Sequence, residues 1–539
     1  METKNSWIKI ILFQLALTIL ASVLFAASFP NIIFKNGLSF LAWFAYIPIL
    51  IVIYKNNLLA CAGWGALYGF IAYGLFNYWL GNFHPLAGTI VYSIYLVYMA
   101  VVFVLLKLAI IFFPKHGFLV QWVIWLAYEY LRTKGFLGYS YGITGYSQWR
   151  MIPLIQIASI TGVWGVSALV AFPSFWLAEV IKEKPLQINL RQKISGIIWL
   201  AALVATLTFG FINMKDFSGK AASGAYPSAN IALIQHNTDP WAASRAPAAW
   251  QVTEIYRRDL NSLIRLSDEA LITNPKPQLV VWPETAFIPR IYWHTTYRDD
   301  QNSWALVRQL LEYLAGNEVP FLIGNDDARM DSARNRVDYN AAMLYERGLN
   351  TATYRKIHLV PFTEHFPYQK QFPRIHDWLK NADTHFWEKG DEETVFSVPG
   401  FTFSAPICFE DTFGYISRNF VRRGADVLVN LSNDAWSDSL PAQYQHLTMA
   451  VFRSVENYRP MVRSTSTGQT CAIDSNGRII AMAPPFMETS LNVTIPLTTK
   501  TTIYTKYGDY FAVFFTILAF MLLLSGAVWC TIRKLKREP

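Results

Sequence analysis

The sequence predicts a polytopic α-helical membrane protein that carries one α/β domain in water. The first observation is composition: 53% of the 539 residues are hydrophobic and only 15% are charged, whereas soluble domains carry about 25% charged residues. The second is a series of long apolar runs. The third is a single polar portion, about 214–508, in which short β-branched runs alternate with helical periods.

The apolar runs have the length of membrane-spanning helices, which need roughly 20 apolar residues. We predict about eight transmembrane helices, over residues 8–28, 38–54, 58–80, 88–113, 118–131, 156–181, 195–213 and 510–531. The run at 118–131 is short and contains Glu129. A cleaved signal peptide is the alternative for the first run, because lysines precede it and small residues end it. Six more runs follow before the polar portion, so we expect the first run to be kept.

Lysine and arginine in short loops predict the orientation, because these residues favour the cytoplasmic side. The segments predicted to be inside contain Lys4, Lys9, Lys55, Lys115, Lys182, Lys184, Arg191, Lys193, Arg533, Lys534, Lys536 and Arg537. The outside loops contain Lys35, Arg132, Lys134 and Arg150. We therefore expect both termini in the cytoplasm of a bacterium, a multi-pass chain in its inner membrane, and the polar portion in the periplasm.

The polar portion reads as one α/β domain, since buried strands alternate with helices. The predicted strands are 231–234, 279–282, 321–323, 403–407 and 427–431, the predicted helices are 254–271 and 304–314, and a hairpin over 339–356 turns at 347–350. A Gly-, Ala- and Ser-rich linker, 218–228, precedes the first strand. The predicted domains are a membrane domain over 1–217, the catalytic domain over 218–508, and a last span with a basic tail over 509–539.

Charge and cysteine usage exclude two classes. The net charge of +9 does not indicate a nucleic-acid partner, because many of the basic residues lie in short loops between apolar runs. Four cysteines in this length do not form a disulfide framework. Cys61 and Cys530 lie in apolar runs. Cys408 and Cys471 lie in the polar portion, and whether they pair is left open.

Three strand ends of the polar portion carry reactive groups. Glu284 follows the strand at 279–282, Lys356 ends the hairpin, and Cys408 follows the strand at 403–407. Functional groups of α/β sheets gather at the carboxyl ends of strands. A carboxylate with a raised pKa can take the thiol proton, and a fixed cation can stabilise the oxyanion that forms when a thiolate attacks a carbonyl.

We therefore predict Glu284 as general base, Cys408 as nucleophile, and Lys356 as oxyanion stabiliser, aided by the N–H of Phe409. Glu364 would hold Lys356 or assist the proton transfer. Two carboxylates, Glu410 and Asp411, follow Cys408 closely and should disfavour its thiolate, so the nearby ammonium would have to offset them. Taken singly, each residue also fits an ordinary surface or core position.

The motifs at these positions resemble those of a known family. The matching segments are IALIQHN at 231–237, WPET at 282–285, YRKIHLVPFTEHFP at 354–367, ICFED at 407–411, LSNDAW at 431–436, QHL at 445–447 and RSVENYRPMVRSTSTGQT at 453–470. They are similar to the nitrilase superfamily, and with the apolar runs they resemble its membrane branch, the apolipoprotein N-acyltransferases. The resemblance covers nearly the whole chain and implies an αββα sandwich outside the cytoplasm.

The resemblance implies a two-step acyl transfer without metal or cofactor. A phospholipid would acylate Cys408, and the α-amine of a diacylglyceryl-modified amino-terminal cysteine on an apolipoprotein would take the chain, completing lipoprotein maturation. Glu364 and Glu410 match two supporting glutamates of the family. Phe409 and Thr363 depart from it, since Tyr and Gly are common there. Trp241 and Trp250 compete for a loop tryptophan of the family. We expect a monomer.

The segment Phe366–Lys380 interleaves aromatic and basic residues, as is typical of segments at the lipid headgroup level. We expect it to control lipid access through Phe366, Phe372 and Trp378, with Trp436 in the same set. An ordinary surface loop is the alternative.

Three rival functions deserve comparison. A membrane-anchored amidase would use the same triad with water as acceptor, but one span would suffice to anchor it. Zinc ligation by His365, His376 and His385 matches no metal-ligand spacing. A transporter would carry charges inside its spans, where Glu129 and Glu179 are almost the only ones.

Overall fold

The structure is a computed structural model that describes residues 2–83, 85–182, 188–381 and 386–535. Lys184, His385, Lys536 and Arg537 lie outside the described residues. The chain divides into two compact units: the first comprises Met1–Met214, Ser439–Thr448 and Tyr507–Pro539, and the second comprises Lys215–Asp438 and Met449–Lys506. The domain boundaries at 217/218 and 508/509 stay predictions.

The helices are numbered along the chain. They are α1 (Glu2–Ala27), α2 (Ile47–Lys55), α3 (Leu58–Phe76), α4 (Leu80–Phe83), α5 (Pro85–Phe112), α6 (Gly117–Leu131), α7 (Ile152–Ile155), α8 (Ala158–Thr161), α9 (Val163–Lys182), α10 (Leu190–Ala222), α11 (Ala249–Leu271), α12 (Ile291–Thr296), α13 (Gln301–Ala315), α14 (Pro373–Asn381), α15 (Gly414–Arg422), α16 (Leu440–Asn457), α17 (Ile503–Tyr507) and α18 (Tyr510–Leu535).

The strands are numbered in the same way. They are β1 (Ser228–Gln235), β2 (Leu279–Val281), β3 (Phe321–Met330), β4 (Arg336–Glu346), β5 (Leu349–Arg355), β6 (Val395–Val398), β7 (Phe401–Ser404), β8 (Val427–Ser432), β9 (Met461–Thr465), β10 (Cys471–Ile473), β11 (Ile479–Met482) and β12 (Thr489–Pro496).

The first unit contains helices that are apolar and long enough to cross a membrane. Within the described residues there are six such helices counting α18: Trp7–Ala27, Leu58–Phe76, Ala87–Phe112, Val163–Lys182, Leu190–Ala222 and Tyr510–Arg533. The runs predicted at 38–54 and 118–131 form shorter helices, α2 of 9 residues and α6 of 15 residues. The chain is therefore a membrane protein with a helical membrane region, and the number of eight spans stays a prediction.

The first unit buries several polar side chains that find partners within it. Glu129, on α6, accepts hydrogen bonds from the N–H and hydroxyl of Thr144 and from the Trp125 indole. Gln445, from the first half of α16, accepts a bond from the Trp79 indole at 3.0 Å and donates to the carbonyl oxygens of Pro30 and Phe76. Hydrogen bonding of this kind is what allows such groups to be buried.

The second unit is built on two six-stranded sheets. The first sheet has the order β12-β1-β2-β3-β4-β5, with β1, β2 and β3 parallel, and the second has the order β11-β10-β9-β8-β7-β6, with β7, β8 and β9 parallel. The sheets face each other, since the Ser464 hydroxyl on β9 donates to carbonyl oxygens of Ile234 and Val281 on the first sheet.

Apolar periodicity explains how the helices cover the first sheet. On α11, Leu260, Leu263 and Leu266 are buried in one core with side chains of β1 to β4 and of α13. The Trp282 indole, just after β2, donates to the Ser267 hydroxyl of α11 at 2.9 Å. An α/β domain with two sheets beside a helical membrane region confirms the predicted fold class, while the number of spans and the side of the membrane stay predictions.

Several local predictions are confirmed and others are wrong. The strands at 231–234, 279–282, 321–323 and 427–431, the two helices and the hairpin are present, and Arg347 and Gly348 form its turn. The predicted linker 218–228 is too long, because α10 continues to Ala222. The strand predicted to reach Ile407 ends at Ser404, and only an isolated bridge pairs Ile407 with Leu431.

Candidate active site

The three predicted reactive groups follow strands whose carboxyl ends lie at corresponding edges of the two sheets. Glu284 comes three residues after β2, and Lys356 directly after β5. Because β5 is antiparallel to β4, and β4 to β3, β5 runs in the direction of β2 and β3. Cys408 follows β7 of the second sheet. The chain direction thus delivers all three groups to one buried site.

Lys356 lies at the centre of this site. Its side chain is fully buried, and its Nζ donates to Glu364 Oε1 at 2.8 Å and to Glu284 Oε1 at 3.4 Å. Burial lowers the pKa of Lys356, but the charges of Glu364 and Glu284 outweigh burial, so the pKa lies above its ordinary value. The residue is therefore a fixed ammonium at working pH.

Glu284 is held on both carboxylate oxygens. Oε1 accepts a hydrogen bond from Asn340 Nδ2 at 2.8 Å, and Oε2 accepts one from the Asn433 N–H at 2.9 Å. Gly324 on β3 permits this placement, because a Cβ there would lie 2.7 Å from Glu284 Cα. Burial raises the pKa of Glu284 and the Lys356 ammonium lowers it, with a net rise. A carboxylate with a raised pKa is suited to accept a proton.

Cys408 begins a short 3₁₀ turn, Cys408–Thr412, and has a backbone φ of 49°. Few residues other than glycine adopt this left-handed conformation, and strain of this kind concentrates at functional sites. The thiol and the Glu284 carboxylate interact, and this interaction lowers the pKa of Glu284. Burial raises the pKa of Cys408 well above its ordinary value, Glu284 raises it further, and Lys356 lowers it. At rest the residue is a thiol with its proton acceptor already in contact.

The two carboxylates after the cysteine each have a structural partner. Glu410 Oε1 accepts hydrogen bonds from the N–H groups of Ile357 and His358, and Oε2 accepts one from the Ile407 N–H. The Tyr354 hydroxyl donates to the same carboxylate at 2.8 Å. Burial raises the pKa of Glu410 to about 7, while these N–H donors and Lys356 lower it. Glu410 thus joins the segment after Lys356 to the turn of Cys408.

Asp411 forms an ion pair with Arg463, and both side chains are fully buried. The sequence expectation that Lys356 alone would offset both carboxylates is therefore incomplete. Arg463 neutralises Asp411, and backbone donors surround Glu410.

Comparison with known proteins agrees with this geometry. Residues 230–504 match the family model of the carbon-nitrogen hydrolases, and residues 21–176 match the model of the apolipoprotein N-acyltransferase N-terminal domain. Apolipoprotein N-acyltransferase 1 of Treponema denticola is 45% identical over 96% of this chain and 96% of its own length. The namesake of Treponema pallidum is 43% identical over 97% of each chain, and the Borreliella burgdorferi enzyme is 31% identical over 94% of each.

The chain belongs to the apolipoprotein N-acyltransferase family. The resemblance predicted from the motifs is confirmed, and with it the assignment to the acyltransferases of the nitrilase superfamily. The matches cover both the helical region and the domain with two sheets.

Phe409 and the two candidate loop tryptophans have different surroundings. Phe409, where Tyr is common, is buried and lies with its ring 5.0 Å from the ring of Phe413 and 6.0 Å from that of His358. His358 Nδ1 is 2.8 Å from the Tyr415 hydroxyl. The residue after Cys408 is thus part of an aromatic cluster. Trp241 and Trp250, the two candidates for the family's loop tryptophan, are both exposed.

The residues predicted to control lipid access lie in different environments. Phe372 and Trp378, before and on α14, are about half exposed, and Ile375 is exposed between them. Phe366 is buried beside Phe362, with ring centroids 6.1 Å apart. Trp436 is half-buried. An exposed apolar face of α14 therefore exists, but Phe366 does not belong to it.

The cysteines are free thiols, and Cys408 and Cys471 do not form a disulfide. In the ranges that the structure describes, no group of three or more His, Cys, Asp or Glu residues could hold a metal ion. His385, one of the rival zinc ligands, is outside those ranges.

Three supporting residues were missed in the sequence. Asn340 and Asn433 hold Glu284, and Arg463 pairs with Asp411. Asn433 and Arg463 lie inside quoted motif segments, so their positions were visible although their roles were not. Asn340 lies in the predicted hairpin, and only the pairing of β4 with β5 reveals its proximity to the site, since its carbonyl oxygen accepts the Lys356 N–H.

Proposed function

We propose that the protein transfers a fatty acyl chain from a phospholipid to the α-amino group of the amino-terminal diacylglyceryl-cysteine of apolipoproteins, by a ping-pong mechanism. The observation that carries this proposal is the buried set in which Lys356 contacts Glu284 and Glu364 while Glu284 contacts the Cys408 thiol. Family membership supports the substrates, since the relatives are named apolipoprotein N-acyltransferases.

The first half-reaction acylates Cys408. Glu284 takes the thiol proton, and the thiolate sulfur attacks the ester carbonyl carbon of the phospholipid. Two donors stabilise the oxyanion. The first is Lys356 Nζ, which has three N–H groups and directs two of them at carboxylates. The second is the N–H of Phe409, which lies at the start of its turn and therefore has no partner within the turn. The carbon–oxygen bond then breaks, the leaving alkoxide takes the proton from Glu284, and a lysophospholipid departs.

The second half-reaction releases the chain to the amine. The α-amine attacks the thioester carbonyl, Glu284 takes one amine proton, and the carbon–sulfur bond breaks. The sulfur recovers a proton from Glu284, so the enzyme returns to its starting state. A thioester suits this step because an amine attacks it more readily than an oxygen ester, and Glu364 keeps the ammonium in place throughout.

The membrane helices give this chemistry its location. Both substrates carry acyl chains, whose burial in a bilayer contributes roughly 0.8 kcal/mol per methylene group, so neither would leave the membrane for a soluble enzyme. We place the chain in a bacterial inner membrane with both termini cytoplasmic and the catalytic domain periplasmic, which the lysine and arginine distribution supports. The enzyme works as a monomer.

The exposed apolar face of α14 serves lipid access. Phe372 and Trp378 flank Ile375 on a surface that also carries Lys370 and Arg374. Aromatic and basic side chains together favour the headgroup level of a bilayer. Phe366 supports the base of this segment from its buried position, and Trp436 lines the approach to the site.

The decisive experiment measures the intact mass of the purified protein after incubation with phospholipid. We expect a gain of one fatty acyl group on the parent. The matched variant Cys408→Ser should gain none, and Glu284→Gln and Lys356→Ala should gain it far more slowly. A parent that stays unmodified would overturn the proposal.

A second measurement separates acyl transfer from hydrolysis. The acylated protein is mixed with a diacylglyceryl-modified peptide that has a free α-amine, or with the same peptide acetylated on that amine. Release of the chain as an amide only with the free amine is expected. Equal release as free fatty acid in both samples would indicate an amidase-type enzyme with water as acceptor.

A further inference from the structure

Arg463 lies behind the active site and contacts two different active-site segments. It is on β9 and is fully buried. Its Nη1 forms an ion pair with Asp411, and its Nη2 lies 3.8 Å from Asp434 Oδ2. Both carboxylates are themselves buried. A guanidinium has donors in a rigid fork, so one arginine can hold two acidic groups in a fixed relation.

The two acids belong to the segments that carry the reacting groups. Asp411 is three residues after Cys408 in the same short turn. Asp434 directly follows Asn433, whose N–H donates to Glu284 Oε2 at 2.9 Å. A series of contacts through Asp411, Arg463 and Asp434 therefore connects the Cys408 turn to the loop that holds Glu284.

We propose that Arg463 is a positioning residue that fixes the Cys408 turn against the Asn433 loop and thereby sets the contact between the Cys408 thiol and the Glu284 carboxylate. This inference rests on the roles of Cys408 and Glu284 in the proposed function, and it adds a residue to which no motif assigned a role.

The surroundings restrict each part of this link. Arg463 is paired in register with Asn430 of β8, and Asn430 Nδ2 donates to the carbonyl oxygens of Pro406 and Cys408. The Ser432 hydroxyl donates to Asp434 Oδ1 at 3.1 Å. Gly468 lies against the same carboxylate, since a Cβ there would be 2.5 Å from Asp434 Oδ2. The Asp434 side chain therefore has little freedom to move away from Arg463.

Charge alone does not account for the cluster. Two carboxylates and one guanidinium have a net charge of −1, which disfavours a thiolate nearby. Burial is the main cause that raises the pKa of Cys408, and Asp434 is among the charges that raise it further. A cluster that served only to ionise the thiol would carry a net positive charge. We therefore assign the cluster a role in positioning the Cys408 turn and the Asn433 loop.

The test is the alkylation of Cys408 by iodoacetamide in the full-length, detergent-solubilised protein, followed by intact mass, with Cys408→Ser as blank. A carbon–sulfur bond forms, iodide leaves, and Glu284 takes the thiol proton. Arg463→Met is expected to slow alkylation about tenfold in the parent, but less than about twofold in the Glu284→Gln background, because residues that act as a unit are non-additive. Equal slowing in both backgrounds, or none in the parent, would overturn the inference.

Asp434→Asn is the second variant if Arg463→Met does not fold. It keeps the shape and the Ser432 contact but weakens the link to Arg463. A purely electrostatic role predicts faster alkylation, because a negative charge near the thiol is lost. The positioning role predicts slower alkylation, and faster alkylation would overturn it.

Arg459→Met is the matched control. Arg459 is also a buried arginine, but it donates to the carbonyl oxygens of Ala425, Tyr458 and Lys500. The variant Arg459→Met should leave the effect of Glu284→Gln on the alkylation rate unchanged. Iodoacetamide reacts with Cys408 without lipid, so this test is independent of the acyl donor. A parent protein whose Cys408 is alkylated normally but is not acylated by phospholipid would contradict the proposed function and leave the role of Arg463 unaffected.

Discussion

At the scale of single residues, the site depends on how a few buried groups share charge. Lys356 stays positive because two carboxylates outweigh its burial, and Cys408 stays a thiol because burial and Glu284 disfavour its thiolate. In the proposed mechanism, proton transfer to Glu284 therefore accompanies the attack on substrate. The rate should follow the fraction of Glu284 that is ionised.

Asn340→Leu tests this dependence on pH. Asn340 donates to Glu284 Oε1 and lowers its pKa, so its loss should raise that pKa further. A protonated Glu284 cannot act as base, and the acid limb of Cys408 acylation should move to higher pH by about one unit. The measurement is the acylation rate against pH, with Asn335→Leu in the exposed β3–β4 turn as control. An acid limb that does not move would contradict the role of Glu284.

The proximity of Glu284, Lys356 and Cys408 could be predicted from the sequence because these residues follow recognisable strands and motifs. The roles of the supporting residues could not, because they depend on strand register: the β4–β5 hairpin places Asn340 beside Lys356, and the pairing of β9 with β8 places Arg463. Three partners of Glu410 were hidden for another reason: they are backbone N–H groups, which every residue except proline carries, so the sequence does not single them out.

At the scale of elements, Glu410 connects the end of β5 to the turn after β7. Its carboxylate accepts from Tyr354, Ile357, His358 and Ile407, and the groups that surround it are all donors. The distance between the segment after β5 and the turn after β7 therefore depends on this one side chain.

Glu410→Gln should disturb this connection strongly. The new amide nitrogen would face N–H or O–H donors, and burying such a mismatch costs about 1–3 kcal/mol. We expect a lower free energy of unfolding in denaturant and acylation slowed by at least about tenfold. Glu393→Gln is the control, because Glu393 is partly exposed and its partners are the exposed Arg423 and the amide of Asn419. Equal effects of both substitutions would argue against a special role of Glu410.

Helix α14 offers a test at the same scale. Phe372→Ser with Trp378→Ser should slow turnover of phospholipid in vesicles while the unfolding transition stays in place, because both side chains are exposed. Leu349→Ser, at an exposed position of the β4–β5 hairpin, is the control. Unchanged turnover in the double variant would leave the segment as an ordinary surface loop.

Helices and strands with a strong periodicity of apolar residues could be predicted from the sequence, whereas the residues at which they end could not. The hairpin and the helix α11 match the pattern because alternation and helical period extend over many residues. The linker was predicted too long, since Gly, Ala and Ser at 218–222 continue a helix that already has many turns. The runs at 38–54 and 118–131 are largely apolar, yet apolarity does not specify helix length.

At the scale of the whole molecule, the chain forms two units, and the division is not a simple cut in sequence. The segment Ser439–Thr448 belongs to the first unit, although residues 215–438 and 449–506 on either side of it belong to the second. The sequence did not predict this, because ten polar and apolar residues without a long apolar run give no sign of where they pack.

Gln445→Leu tests the importance of this segment for the first unit. The substitution leaves the Trp79 indole and two carbonyl oxygens without their present partner. Unsatisfied buried groups cost about 1–3 kcal/mol each, so the thermal unfolding temperature should fall. Gln309→Leu, on the exposed side of α13, is the control, and equal melting temperatures would count against the inferred packing.

The burial of Cys408 also bears on how the enzyme would survive in the oxidising compartment in which we propose its catalytic domain lies. Peroxides and disulfides react with a thiolate and hardly with a thiol. A sulfur that holds its proton until a carbonyl arrives, with the free Cys471 not bonded to it, is protected from sulfenic acid formation between turnovers. The thiol proton of Cys408, which the proposed reaction removes in each cycle, thus also protects the resting enzyme from oxidation.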